Sequence, residues 1–79
     1  MLRLITMPGP KGRYWTLTVL GTPCATGHVA DEDKAISAAM NWCRVNGYTP
    51  RALRVAARTG VAARTGVAGG ERVSYEAAL

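Results

Sequence analysis

The chain has 79 residues, 48% hydrophobic and 19% charged, a globular composition with length for one small domain and no second one. Ten Lys and Arg against five Asp and Glu leave a net charge of +5, which favours acidic or phosphate-bearing partners. No apolar run approaches the roughly 18–20 residues of a membrane-spanning helix, and the start, stopped by Pro8 and Pro10, is too short for a secretory signal.

Residues 1–6 read as a leading strand, β-branched at Ile5 and Thr6, and residues 8–12 (Pro-Gly-Pro-Lys-Gly) as a loop. Residues 13–20 carry the clearest strand pattern: Trp15, Leu17 and Val19 alternate with Thr16 and Thr18, so one face is buried and one is wet. Gly21, Thr22 and Pro23 supply a turn, and residues 24–30 return as a second, weaker strand of a hairpin.

Asp31 is placed to cap a helix, with Glu32 and Asp33 adding negative charge to its first turn. Ile36, Ala39, Met40 and Cys43 form the apolar stripe, flanked by Ala35 and Trp42, and Gly47 suits a left-handed C-cap. An Ala-rich face predicts close packing across the strands.

Residues 52–58 read as a strand with Leu53, Val55 and Ala57 on an apolar face and Arg54, Ala56 and Arg58 on a cationic one. A helix competes for this region, because Thr49-Pro50 also fits an N-cap followed by proline at the first helical position. Residues 55–66 are the hexapeptide VAARTG written twice, and VAGG begins a third copy. A period of six keeps Val55, Val61 and Val67 on one face of an extended chain, whereas in a helix each copy advances about 600° and the valines scatter. Thr59-Gly60 and Thr65-Gly66 interrupt a strand. The first copy is therefore expected to be structured and the second to lengthen a Gly-rich loop over 59–70. Residues 71–76 read as a final edge strand or a short terminal helix. The fold class expected is α+β: a small antiparallel sheet with one amphipathic helix across it, in the order β-β-α-β with optional extra strands.

Catalytic and metal chemistry find little support. Cys24, His28 and Cys43 are one ligand short of a structural zinc site. Cys24 and His28 would lie about 13 Å apart along a strand, too far for a nucleophile and its base. The clustered acids are accounted for by helix capping, and no phosphate loop, dinucleotide fingerprint or nucleophile elbow occurs. No enzyme, metal or cofactor is expected. The expected location is cytoplasmic, where reduced thiols disfavour a Cys24–Cys43 disulfide.

The surface chemistry is basic. Arg outnumbers Lys eight to two, and no acid stands between Asp33 and Glu71. The planar guanidinium fork suits phosphates and carboxylates. Trp15 and Trp42 read as core, whereas Tyr14 shares the outward face with Thr16 and Thr18, beside Arg13, where an aromatic ring can stack a base or anchor an interface. The candidate partner-binding residues are Arg13, Tyr14, Arg44, Arg51, Arg54, Arg58 and Arg64.

Three family resemblances bear on this surface. Thr49-Pro50-Arg51-Ala52-Leu53-Arg54, with Arg58, Gly60 and Arg72-Val73-Ser74-Tyr75, resembles the recognition helix and wing of winged-helix regulators of the mercury-resistance type. The run from Tyr14 through Ala39, with Thr22-Pro23-Cys24, is similar in layout to the antitoxins that fold as a partial RNase-H-like sheet with a helix. Most of the chain, through residues 14–19, 35–42 with Met40, and 53–58, resembles small phage anti-CRISPR proteins of type I systems. That last resemblance implies a non-catalytic inhibitor in the host cytoplasm, docking on a host protein or RNA-guided nucleoprotein complex with an acidic or phosphate surface. The alternative is a small DNA-binding regulator using the same arginines on phosphates, and a purely structural module is the third. The sequence leaves open whether the protein is a homodimer.

Overall fold

A computed structural model describes residues 1–79, every residue of the chain. The elements run β1 (Leu2–Gly9), β2 (Gly12–Val19), β3 (Thr22–Val29), α1 (Glu32–Val45), β4 (Arg51–Val61) and β5 (Gly70–Ala78). The five strands form one antiparallel sheet in the order β3-β2-β1-β5-β4. This is the expected α+β class, with both optional strands present.

The last strand goes to the middle. β5 was expected at an edge or as a helix, yet it inserts between β1 and β4 and leaves β4 as the edge. The reason is apolar patterning: Val73, Tyr75 and Ala77 alternate along β5 and are all buried, whereas β4 buries no residue fully. A strand with a complete apolar face gains more from a central position than an Arg-rich one.

Partners directly opposite in an antiparallel ladder point to the same side. Leu2, Leu4 and Thr6 of β1, Trp15, Leu17 and Val19 of β2, and Val73, Tyr75 and Ala77 of β5 therefore share the face toward α1. These residues and Ala35, Ala39 and Cys43 of the helix make the core. The buried helical stripe thus centres on small residues at i, i+4 and i+8, while Ile36 and Met40 flank it, because Ala and Cys let the helix approach Trp15 and Leu17 closely. The helix covers β3, β2 and β1, and β4 lies beyond its footprint. The other face of the sheet carries no second layer.

Local chemistry fixes both ends of the helix. Asp31 accepts from the Lys34 backbone N–H at 2.9 Å. At the other end Gly47 has φ +82°, and the Tyr48 N–H reaches the Cys43 carbonyl at 2.8 Å, a Schellman closure. Its accompanying apolar contact is the Trp42–Tyr48 stack, ring centroids 5.8 Å apart.

Several boundaries differ from expectation. The loop over residues 8–12 shrinks to a two-residue turn at Pro10-Lys11, since β1 extends through Pro8 and Gly9. Proline is tolerated there because β5 stops pairing with β1 at Thr6, so Pro8 has a strand neighbour on one side only. The β2–β3 turn falls at Leu20-Gly21, both with positive φ, the twist-matched geometry of a tight hairpin. Region 51–61 is strand and not helix, so the recognition-helix expectation fails. As a strand alongside β5 the segment packs Leu53, like Tyr48 before it, against the core.

Candidate functional site

β4 and β5 form a hairpin longer than the sheet that carries it. β1 pairs with β5 only as far as Thr6↔Val73, but β4 and β5 stay paired to Val61↔Gly70. Arg64 and Val67 then exchange both backbone hydrogen bonds, at 3.0 and 2.9 Å, around the turn Thr65-Gly66. Gly66, with φ +78°, supplies the left-handed residue that this turn needs. Gly70 still packs on Pro8, where a Cβ would come within 3.0 Å of the ring, so it is residues 61–69 that project past β1 as a two-stranded arm, in a molecule whose extents are 38 × 22 × 20 Å. The expected loop over 59–70 is strand at both ends, and residues 62–69 complete the arm.

The two hexapeptides take different structures: residues 55–60 are strand, and residues 61–66 end in the arm's turn. Their valines do not share a face. A bulge between Val55 and Ala57 shifts the register, so Val55 pairs with Tyr75 on the helix side while Val61 pairs with Gly70 on the other. The same bulge separates the arginines expected on one cationic face. Arg54, opposite Glu76, lies on the open face, and Arg58, opposite Val73, lies on the helix side.

Five of the arginines belong to this hairpin: Arg51, Arg54, Arg58, Arg64 and Arg72. All are exposed. Arg58 bridges Glu71 at 3.2 Å, with both side chains more than half exposed, whereas Arg51, Arg54, Arg64 and Arg72 make no salt bridge. Arg72 was not among the sequence candidates, and its place is opposite Thr59, near the base of the arm. Arg3 pairs with Glu76 at 2.8 Å on the open face.

The remaining sequence candidates lie elsewhere. Arg13 does not accompany Tyr14: neighbours on a strand point to opposite faces, and Arg13 turns to the helix side. There its Nε donates to Glu32 at 2.9 Å and its guanidinium to the Thr6 hydroxyl at 2.9 Å. Glu32 also accepts from Thr6 at 2.7 Å and from the Tyr75 hydroxyl. Burial alone would push the Glu32 carboxyl up, but the donors Tyr75, Thr6 and Arg13, with the Arg13 charge, hold it below its usual value. Burial and the hydrogen bond to Glu32 push Tyr75 up to about 12. This cluster is closed on itself and pins the helix start to three strands, so Glu32 does more than cap. The signal was Thr6, a polar residue on an otherwise apolar strand face.

Tyr14 does lie on the open face and meets His28 edge-to-face, ring centroids 4.7 Å apart. Arg44, on the last turn of α1, donates to Asn41 and stands apart from the hairpin. Trp15 is buried and Trp42 half-buried against the core. Cys24 and Cys43 are free thiols, the first exposed at the β3 bulge, the second buried, which pushes its thiol up. No group of three or more His, Cys, Asp or Glu side chains could hold a metal ion, and no helix is long and apolar enough to cross a membrane.

No family model, curated protein or solved structure matches this chain. The cationic hairpin is its most distinctive surface.

Proposed function

We propose that this protein is a non-catalytic nucleic-acid-binding protein that grips a phosphate backbone through the β4–β5 hairpin. The observation that carries this reading is the concentration of five exposed arginines on one projecting hairpin, four of them free of salt bridges. Apart from those arginines and Glu71, every residue from Ala56 to Arg72 is Ala, Gly, Thr or Val. A protein interface draws its affinity mainly from large aromatic and arginine anchors seated in pockets, and this arm offers no aromatic side chain. A polyanion needs only the charges.

The inhibitor setting implied by the resemblance to type I anti-CRISPR proteins would use the same arginines on a host nucleoprotein and leave free nucleic acid alone. Titration of a labelled oligonucleotide across a salt series separates the two. The nucleic-acid reading expects measurable affinity that falls steeply with salt, and a slope reduced by about 0.9 for each phosphate-contacting arginine replaced, as in Arg54→Ala or Arg64→Ala. No binding to any free nucleic acid at low salt defeats it.

A further inference from the structure

We infer that the partner is double-stranded B-form DNA, that the arm enters its major groove tip first, and that the tandem hexapeptide sets how far the arm reaches. This rests on the nucleic-acid reading above. Three residues on the β5 side, 67–69, lie between Gly70, which still packs on Pro8, and the turn, so the arm stands out about 10 Å at ~3.3 Å per residue. Two strands about 4.8 Å apart, bearing Ala, Gly, Thr and Val, make a ribbon roughly 10 Å across. The major groove of B-DNA is about 12 Å wide and 8.5 Å deep and admits a two-stranded ribbon; the minor groove, about 6 Å wide, does not. The major groove of an RNA duplex is too deep and narrow, and a single strand has no groove.

The cations suit tip-first entry. At the base of the arm Arg58, bridged to Glu71, stands on the helix side and Arg72 on the open side, while Arg64 sits at the turn. One arginine thus faces each phosphate wall, and one reaches the groove floor, where arginine pairs with guanine O6 and N7. The hexapeptide controls the reach because it is even in length. Without residues 61–66, Gly60↔Glu71 remains in register and Val67-Ala68-Gly69-Gly70 closes a four-residue loop. The β4–β5 anchor is unchanged, while the arm loses three residue pairs, about 10 Å, and Arg64.

Two measurements test this. In dimethyl sulfate footprinting of an end-labelled mixed-sequence duplex, the full-length protein should protect guanine N7 in the major groove and leave adenine N3 in the minor groove reactive. In fluorescence anisotropy, the variant lacking residues 61–66 and Arg64→Ala lose the same charge, so their difference reports arm length. The deletion should weaken duplex DNA binding roughly tenfold more than Arg64→Ala. The two variants should be equal on the single strand and on the matching RNA duplex. Protection of adenine N3, unprotected N7 under bound protein, or equal losses on duplex DNA would overturn the inference while leaving the phosphate-binding reading intact. No binding to any of the three probes overturns both. If the deletion variant does not fold, the footprint of the full-length protein decides.

Discussion

Glu32 shows how one residue can hold two layers together. It is the first residue of α1, where its charge suits the helix dipole, and it also accepts from Thr6 on β1, Arg13 on β2 and Tyr75 on β5. Its carboxyl is held below the usual value, so its contribution to stability is complete above pH 4.5 and is lost as pH falls through the depressed value. Glu32→Gln should cost about 1–3 kcal/mol at neutral pH, because the largely buried Arg13 guanidinium is left without its charge partner. It should also flatten the acid limb of a stability-versus-pH curve measured by urea unfolding. Tyr75, raised to about 12, works in the opposite direction: stability is retained below about pH 10 and falls as pH rises from there to 12. Tyr75→Phe should remove that alkaline loss. Leu20 is a different case, an exposed leucine with φ +50° in a two-residue turn before glycine. Leu20→Asn gives the Asn-Gly pair this turn prefers and should raise stability by about 0.5–1 kcal/mol, read as a higher melting temperature.

At the level of elements, β4 is an edge strand that protects itself. Its two register shifts and its arginines disturb the flat, unpaired edge that would otherwise recruit another chain. One hexapeptide has two structures because the first copy lies where β1 still flanks β5, and the second lies past the end of β1 at Gly9. Deleting residues 61–66 should therefore leave the core folded. The expected change is below about 1 kcal/mol, a few degrees in melting temperature for a domain of this size. A loss of several kcal/mol in a thermal melt would mean that the arm supports the core.

Across the whole molecule, stability and surface chemistry occupy opposite halves. α1 covers β3, β2 and β1, and the core residues gather there and on β5. Past Gly70, which still packs on Pro8, the hairpin has neither a helix above it nor a third strand beside it. Hydrogen exchange should follow this division. Backbone amides of residues 2–6 and 15–19 should exchange only through global unfolding, and those of residues 62–69 orders of magnitude faster. Uniform protection across both regions would show the arm to be covered in solution. Free of packing duties, the arm can carry charges that a core strand could not bury.

By itself the sequence determined the fold class and the local signals that build it. The Trp15-Leu17-Val19 alternation, the Asp31 cap, the Ala-rich helix face and Gly47 each act over a few residues, so they are legible without the rest of the chain. It also determined that the arginines concentrate in residues 51–64, four of the five that the hairpin presents. Tertiary structure alone decided the rest, because those outcomes depend on competition between distant segments. β5 took the centre of the sheet by burying Val73, Tyr75 and Ala77 against core residues thirty or more positions away. That placement left β4 exposed, and a bulge no local pattern announces then turned Arg54 and Arg58 to opposite faces. Arg13 was drawn inward by Glu32, a partner nineteen residues along. The repeated hexapeptide is the clearest case: identical residues became strand in one copy and turn in the next, because the neighbouring strand ends between them.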